Sequence, residues 1–113
     1  MKKSYANLVL MATAQENSTF TIRGEFYNAR KFNVSILNKG DLSVSFEGDT
    51  QFVLLGKNLD RYEMYEFSAK LFSTIDPYME STGEVFFISK NEEIYTASFI
   101  TIETEATKNL SII

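Results

Sequence analysis

Residues 20–37, FTIRGEFYNARKFNVSIL, alternate between apolar and polar side chains, and this stretch decides the predicted fold. Successive side chains of a β-strand point to opposite sides of the sheet. The alternation therefore predicts strands with one face in a core and the other in water. Gly24 lies inside the run and predicts a bend or a bulge. The apolar face is predicted to carry Phe20, Ile22, Phe26, Phe32, Val34 and Ile36.

The face predicted to be in water combines positive charge with an aromatic ring. It carries Arg23, Tyr27 and Lys31 among small polar residues, and Arg30 lies in the connection. Cationic side chains can follow a phosphate backbone while aromatic rings stack on bases. This face is therefore a candidate for binding single-stranded nucleic acid. A solvated strand face that happens to carry one tyrosine is the alternative interpretation.

The remaining sequence predicts further short strands separated by turns. Residues 42–47 and 51–55 are expected to form a hairpin, and residues 57–63 fit either a short helix or irregular structure. A strand over 65–71 is favoured over a helix, because aromatic and β-branched residues dominate there. The predicted strands are 4–14, 20–37, 42–47, 51–55, 65–71, 85–89 and 94–103.

This pattern of roughly six to eight short strands with little helix predicts an all-β barrel or sandwich. A small five-stranded Greek-key barrel with extra hairpin strands, the OB-fold, fits a chain in which one long strand bends. The 113 residues are enough for one hydrophobic core. We expect a single OB-like domain over residues 1–105 and a short C-terminal extension over 106–113.

Composition argues against most catalytic chemistry. The chain has no cysteine and no histidine, so thiolate metal sites and histidine-based catalysis lose their usual residues. The five glycines are scattered singly, and no phosphate-binding loop or nucleophile elbow is present. The acidic residues Asp41, Glu47 and Asp49 do not have the spacing of a calcium loop. We therefore expect neither an enzyme nor a cofactor.

The net charge of −4 is unevenly distributed along the chain. Residues 1–57 hold seven basic and five acidic residues, a net of +2, whereas residues 58–113 hold four basic and ten acidic residues, a net of −6. A local positive surface can therefore coexist with an acidic whole. Such a protein should bind nucleic acid weakly per subunit and with a marked dependence on salt.

The start of the chain, MKKSYANLVLMATA, is interpreted as the first strand rather than a secretory signal. Its apolar run, Leu8 to Ala12, is shorter than a signal requires. No window has the length of a transmembrane helix. Together with the absence of cysteine, this predicts a cytoplasmic protein with no membrane partner.

The order of these features resembles that of single-stranded DNA-binding proteins of the OB-fold type, and the style of the sequence is similar to divergent versions from phages of lactic-acid bacteria. The resemblance implies a homodimer or homotetramer that binds single strands without sequence preference during replication or recombination, in the host cytoplasm and alongside phage or host recombination proteins. The segments that carry it are Asn7–Leu10, Gly24–Leu37, Phe52–Tyr62, Tyr65–Thr74 and Ile94–Glu103.

The residues expected to contact DNA follow from the same interpretation. The chain lacks tryptophan, so tyrosine and phenylalanine must supply the stacking rings. The predicted phosphate-binding residues are Arg23, Arg30, Lys31, Lys39 and Lys57, and the predicted stacking residues are Tyr27, Phe72, Tyr78 and Tyr95.

Two other functions fit the sequence. The acidic second half could belong to a phage-encoded interaction or inhibitor module that presents carboxylates to a basic host surface. A β-sandwich component of a virion is the other alternative.

Overall fold

The computed structural model describes residues 7–103, and within that range the chain forms seven strands and two short 3-10 helices. The all-β prediction is confirmed, while the predicted extension 106–113 lies outside the described residues. The helices are Ala69–Phe72 and Glu92–Thr96. The strands are β1 (Leu8–Ala14), β2 (Ser18–Ile22), β3 (Glu25–Asn38), β4 (Gln51–Leu55), β5 (Arg61–Phe67), β6 (Glu80–Ser89) and β7 (Phe99–Glu103).

The strands pair antiparallel in the order β1-β3-β6-β5-β4-β7, and β2 pairs with β3 beyond the end of β1. The sheet curves around one core and nearly closes into a barrel. At 14 residues β3 is long enough to pair with β1 and β2 along one edge and with β6 along the other. Because the described chain has seven strands in this order, the finer prediction of a five-stranded Greek-key barrel is not confirmed.

The face of β3 that packs in the core is the face predicted by the alternation of apolar and polar residues. Phe32, Val34 and Ile36 are all at most 2% exposed. The ring of Phe32 meets Phe87 of β6 edge to face, with centroids 6.1 Å apart. Alternate residues of β3 thus fill the barrel interior, and the side chains between them are left on the outer face of the sheet.

The first half of the quoted stretch is a hairpin rather than one bent strand. Arg23 (φ +50°) and Gly24 (φ +81°) form its two-residue turn, and positive φ at both positions suits the tight turn that joins antiparallel strands. The turn makes Phe20 pair with Tyr27, so Phe20 lies on the outer face with Tyr27 instead of on the core face. The prediction for Phe20 was therefore wrong.

Phe26 was also predicted to be buried and is 73% exposed. The pairing between β3 and β6 begins at Asn28, so the hairpin end of β3 pairs with β2 alone. Within the described residues, no facing layer covers the ring. We call this projecting part of the β2–β3 hairpin the hairpin arm, residues 20–27.

Residues 42–47 do not form the predicted hairpin with 51–55. Val44 makes a single bridge to Ile75, while β4 pairs with β5 and β7 instead. The buried side chain of Asn38 donates to the carbonyl oxygens of Leu42 (2.8 Å) and Ile75 (3.0 Å). These bonds hold residues 42–47 as a loop. The turn residues that follow this segment predicted 51–55 as its partner, whereas the actual partner, Ile75, is distant in sequence.

Two further strand predictions had wrong boundaries. The strand predicted at 65–71 begins earlier, at Arg61, and ends at Phe67, where the first 3-10 helix follows. That helix packs closely on β6, because a Cβ at Gly83 would lie only 2.6 Å from the Cβ of Ser68. The strand predicted at 94–103 is reduced to Phe99–Glu103, and the second 3-10 helix precedes it.

Candidate binding surface on the outer sheet face

Three aromatic rings from three different strands meet on the outer face of the sheet. Phe20 of β2 lies 5.5 Å from Tyr65 of β5 and 5.2 Å from Phe86 of β6, and Tyr65 lies 6.0 Å from Phe86, all between ring centroids. Tyr65 is 45% exposed, and the two phenylalanines are half-buried. We call Phe20, Tyr65 and Phe86 the outer aromatic patch.

Strand register explains how these rings come together across β3. Phe20 pairs with Tyr27, and Phe86 pairs with Lys31, so both rings flank the position of Ala29. Ala29 is 1% exposed, and its small side chain leaves room above the strand. A register shift in β5 between Met64 and Glu66 leaves Tyr65 at an irregular position, and such bulges re-aim a side chain.

Two lysines lie against aromatic rings of this face. The Nζ atom of Lys31 is 6.0 Å from the ring centroid of Phe86, and that of Lys90 is 5.4 Å from the ring centroid of Tyr27. These distances suit attraction between a cation and the face of a π-system. The outer face therefore combines partly exposed rings with positive charge.

Carboxylates also lie on this face. Glu84 Oε2 is 3.9 Å from the Lys31 ammonium, and Glu25 Oε1 accepts a hydrogen bond of 2.9 Å from Lys90. The hydrogen bond from Lys90 lowers the pKa of Glu25 and raises the pKa of Lys90. Glu66 lines a shallow depression with Phe20, Lys31 and Phe86. The charge around the patch is thus mixed, and a polyanion would compete with these carboxylates for the lysines.

Three of the predicted site residues belong to this part of the molecule. Tyr27 and Lys31 lie on the same face of β3 as the outer aromatic patch, because they are paired with Phe20 and Phe86. Arg23 is exposed at the tip of the hairpin arm. The outer face therefore groups a tyrosine and a lysine with rings that the sequence had not singled out.

Arg30 and Tyr95 have partners within the protein. Arg30 Nη1 donates to Asn17 Oδ1 (2.8 Å) and its Nε donates to the carbonyl oxygen of Ala97 (3.2 Å). Burial lowers the pKa of Arg30. The Tyr95 hydroxyl donates to the carbonyl oxygen of Ser18 at 2.6 Å. Both side chains thus attach the second 3-10 helix and its following turn to the segment that begins β2.

Phe72 was predicted as a stacking platform and instead packs among other rings. It stacks on the buried ring of Phe52 with centroids 4.7 Å apart and an interplanar angle of 16°. Phe46 and Phe67 lie 5.0 and 5.3 Å from it. These contacts give Phe72 a structural role beside the core, with one ring face covered by Phe52.

Lys39, Lys57 and Tyr78 are not brought to the outer aromatic patch. Lys39 follows the end of β3, and the backbone N–H of Tyr78 donates to the carbonyl oxygen of Asn38 (2.7 Å). Both lie at the opposite end of β3 from Arg23, roughly 40 Å along the strand. Lys57 lines a separate cavity between the β4–β5 turn and the second 3-10 helix. The predicted set therefore does not form one continuous surface.

Sequence reasoning missed Phe20, Tyr65, Phe86 and Lys90 as members of this surface. One signal was available in the sequence, because residues 85–89 are apolar at both odd and even positions. Phe86 therefore had to lie on the face opposite the buried Val85 and Phe87. What it meets there depends on the pairing of β2, β3 and β6, which alternation does not give.

Within residues 7–103 no group of three or more Asp or Glu side chains is placed to hold a metal ion. None of the helical segments in that range has the length and apolarity needed to span a membrane.

Comparison with known proteins gives a match at the level of fold. No family model matches the chain, and no curated protein does. The structure is similar to the crystal structure of an ApaG protein from Pseudomonas aeruginosa PAO1, with a TM-score of 0.76 and 15% sequence identity. The match covers 85% of this chain and 93% of the other. At this identity the likeness establishes a shared all-β fold.

Proposed function

We propose that the protein is a non-catalytic binder of single-stranded nucleic acid and that the ligand lies across the outer aromatic patch. The observation that carries the proposal is the cluster of Phe20, Tyr65 and Phe86 on the sheet surface beside Lys31. Stacking of a base on an aromatic ring contributes roughly 1–3 kcal/mol and tolerates any sequence. A few exposed rings with nearby cations are therefore enough for modest, sequence-independent binding.

The residues have separate roles in this proposal. Tyr65 is the most exposed ring of the patch at 45% and stacks on a base, with Tyr27 as the next platform along β3. Lys31 and Lys90 neutralise phosphates, and Arg23 extends the positive charge to the tip of the hairpin arm. A five-stranded OB topology is not needed, because any sheet face with outward rings can stack bases.

The resemblance of the sequence to phage single-stranded DNA-binding proteins supports the same proposal. It implies a role in phage replication or recombination in the host cytoplasm. Because each subunit offers only a few cations, several subunits would share one strand, and their sites would act together through effective concentration.

The test is a titration of fluorescently labelled oligo-dT followed by anisotropy. The Tyr65→Ala/Lys31→Ala double variant removes one ring and one cation, and it should bind at least tenfold more weakly. Tyr78→Ala/Lys39→Ala is the matched control, because it removes the same two residue types from the opposite end of β3. Equal losses in both double variants, or no binding by the wild-type protein at tens of micromolar, would contradict the proposal. Urea unfolding checks that both variants are folded.

A protein-interaction module is the second candidate, and the carboxylates favour it. Glu84 and Glu25 already pair with Lys31 and Lys90, and an apolar centre inside a rim of mixed charge is typical of protein interfaces. Glu84→Gln separates the two functions. If Lys31 binds phosphate, freeing it should strengthen oligo-dT binding, whereas a surface for a protein partner should leave the weak binding of oligo-dT unchanged.

A further inference from the structure

Among residues 7–103, strand β1 forms an edge of the sheet, and it lacks the usual protection of an edge. Within residues 7–103 it pairs with β3 alone and stands at one end of the strand order. Its sequence is LVLMATA, with no charge, proline or glycine. Its register with β3 is continuous over all seven residues. The free side of β1 is therefore a regular, uncharged row of backbone donors and acceptors.

Soluble proteins normally block such an edge with charged residues, proline, a bulge or a very short strand. None of these devices is present in β1. An unprotected edge of this length is a template for pairing with another strand. A partner strand must also fit the side chains of β1 itself.

We propose that β1 pairs antiparallel with β1 of a second copy, with the two-fold axis at Met11. In this register Leu8 lies opposite Ala14 of the second copy, and Leu10 lies opposite Ala12. Large side chains thus meet small ones on the side of the sheet that faces the core. On the other side Val9 lies opposite Thr13, and Met11 lies opposite its own copy.

Burial along β1 is consistent with this register. Leu8 and Leu10 are half-buried, whereas Ala12 and Ala14 are exposed and have little side chain of their own. Pairing about Met11 would bring each leucine against the exposed alanine of the other copy. Met11 is 63% exposed, and its flexible thioether can adapt to a contact with itself. No like charges meet anywhere along the seven positions.

The order of side-chain sizes along β1 favours a second copy of the chain, and not an unrelated peptide, as the partner strand. A two-fold interface requires one surface to complement itself, and the sequence runs from large residues at its start to small residues at its end. A single strand pair buries less surface than a standard interface of about 1,600 Å². The dimer should therefore be reversible and dependent on concentration.

Cysteine cross-linking tests the register directly, because the chain has no cysteine of its own. Met11→Cys should give a disulfide-linked dimer under mild oxidation, since the two sulfur atoms would lie across the two-fold axis. Thr13→Cys alone should not, because two copies of position 13 would be about 13 Å apart along the strands, beyond the reach of a disulfide. A mixture of Val9→Cys and Thr13→Cys proteins should cross-link.

Analytical ultracentrifugation supplies the second measurement. Met11→Lys would place two ammonium groups opposite each other and should weaken the dimer at least tenfold. Met79→Lys is the matched control, because Met79 is similarly exposed at 60% but lies outside β1. A wild-type protein that stays monomeric at hundreds of micromolar would overturn the proposal. Equal cross-linking of Thr13→Cys and Met11→Cys, or equal effects of the two lysine variants, would do the same.

Discussion

At the scale of single residues, the ion pair between Arg61 and Glu103 holds a buried carboxylate and should be sensitive to change. Glu103 is 3% exposed, and its two carboxylate oxygens accept hydrogen bonds of 2.8 Å each from Nη1 and Nη2 of Arg61. The hydrogen bonds that Arg61 donates to Glu103 raise the pKa of Arg61. The pair joins β5 to β7 across β4, so it links three neighbouring strands of the sheet.

Arg61→Leu should destabilise the protein by about 1–3 kcal/mol. The substitution leaves a buried carboxylate without its partner, and an unpaired buried charge is costly. We expect a smaller loss of stability than for a fully buried ion pair, because the Arg61 side chain is 36% exposed. The free energy of unfolding in urea is the measurement.

The double variant Arg61→Leu/Glu103→Leu serves as the control. It removes both charges together and should be more stable than Arg61→Leu alone, because no buried charge is left unpaired. A double variant at least as unstable as the single one would show that the cost lies in lost packing and not in the orphaned carboxylate.

At the scale of elements, one exposed ion pair joins the hairpin arm to Lys90, the residue after β6, in addition to the ring contact of Phe20 with Phe86. Residues 25–27 pair with β2 alone, and the salt bridge from Lys90 to Glu25 spans this end of the sheet at 2.9 Å. Lys90 also lies over the ring of Tyr27. The lysine therefore links the body of the barrel to the arm that carries Arg23 and Tyr27.

This link should depend on pH in two directions. The pKa of Glu25 is lowered by its hydrogen bond with Lys90, so its contribution is present above the pKa of an unfolded glutamate and is lost as the pH falls through the folded value. The pKa of Lys90 is raised by the same bond, so its contribution is present below the pKa of an unfolded lysine and is lost as the pH rises through the folded value.

Lys90→Ala should return the pKa of Glu25 toward its ordinary value. The measurement is a carboxyl NMR titration of Glu25 in the wild-type and variant proteins. Lys70→Ala is the control, since Lys70 is an exposed lysine on the first 3-10 helix. A titration of Glu25 that is the same in Lys90→Ala and the wild type would mean that the salt bridge does not persist in solution.

At the scale of the whole molecule, charge limits how strongly nucleic acid can bind. The net charge is −4, and only Arg23, Lys31 and Lys90 are assigned to phosphates on the outer face. Each phosphate neutralised on a single strand contributes about −0.7 to the slope of log K against log salt. Few cations on the outer face therefore mean a shallow salt dependence, in place of the marked dependence expected from the sequence.

For binding of oligo-dT we expect a slope between about −1.4 and −2.1, which corresponds to two or three neutralised phosphates. Lys31→Ala should make the slope less steep by about 0.7, whereas Lys57→Ala should leave it unchanged, because Lys57 lines a different cavity. A steeper slope, or equal effects of the two variants, would place the ligand on another surface.

The sequence by itself determined the strand class and the core side of β3, because the alternation of apolar and polar residues is a local property with a period of two. Phe32, Val34 and Ile36 are buried as this pattern requires. The sequence also indicated that residues 85–89 carry apolar side chains on both faces of their strand. It could not indicate which residues those faces contact.

Tertiary structure alone decided the candidate surface. The two-residue turn at Arg23 and Gly24 pairs even-numbered residues of β2 with odd-numbered residues of β3. Phe20 therefore lies on the outer face, with Tyr27, and not on the core face. Pairing of β3 with β6 then brings Phe86 next to it. Phe72 and Tyr95 were likewise bound by partners distant in sequence. Each of these outcomes depends on register between separate strands, and register is fixed by long-range packing that no local pattern encodes.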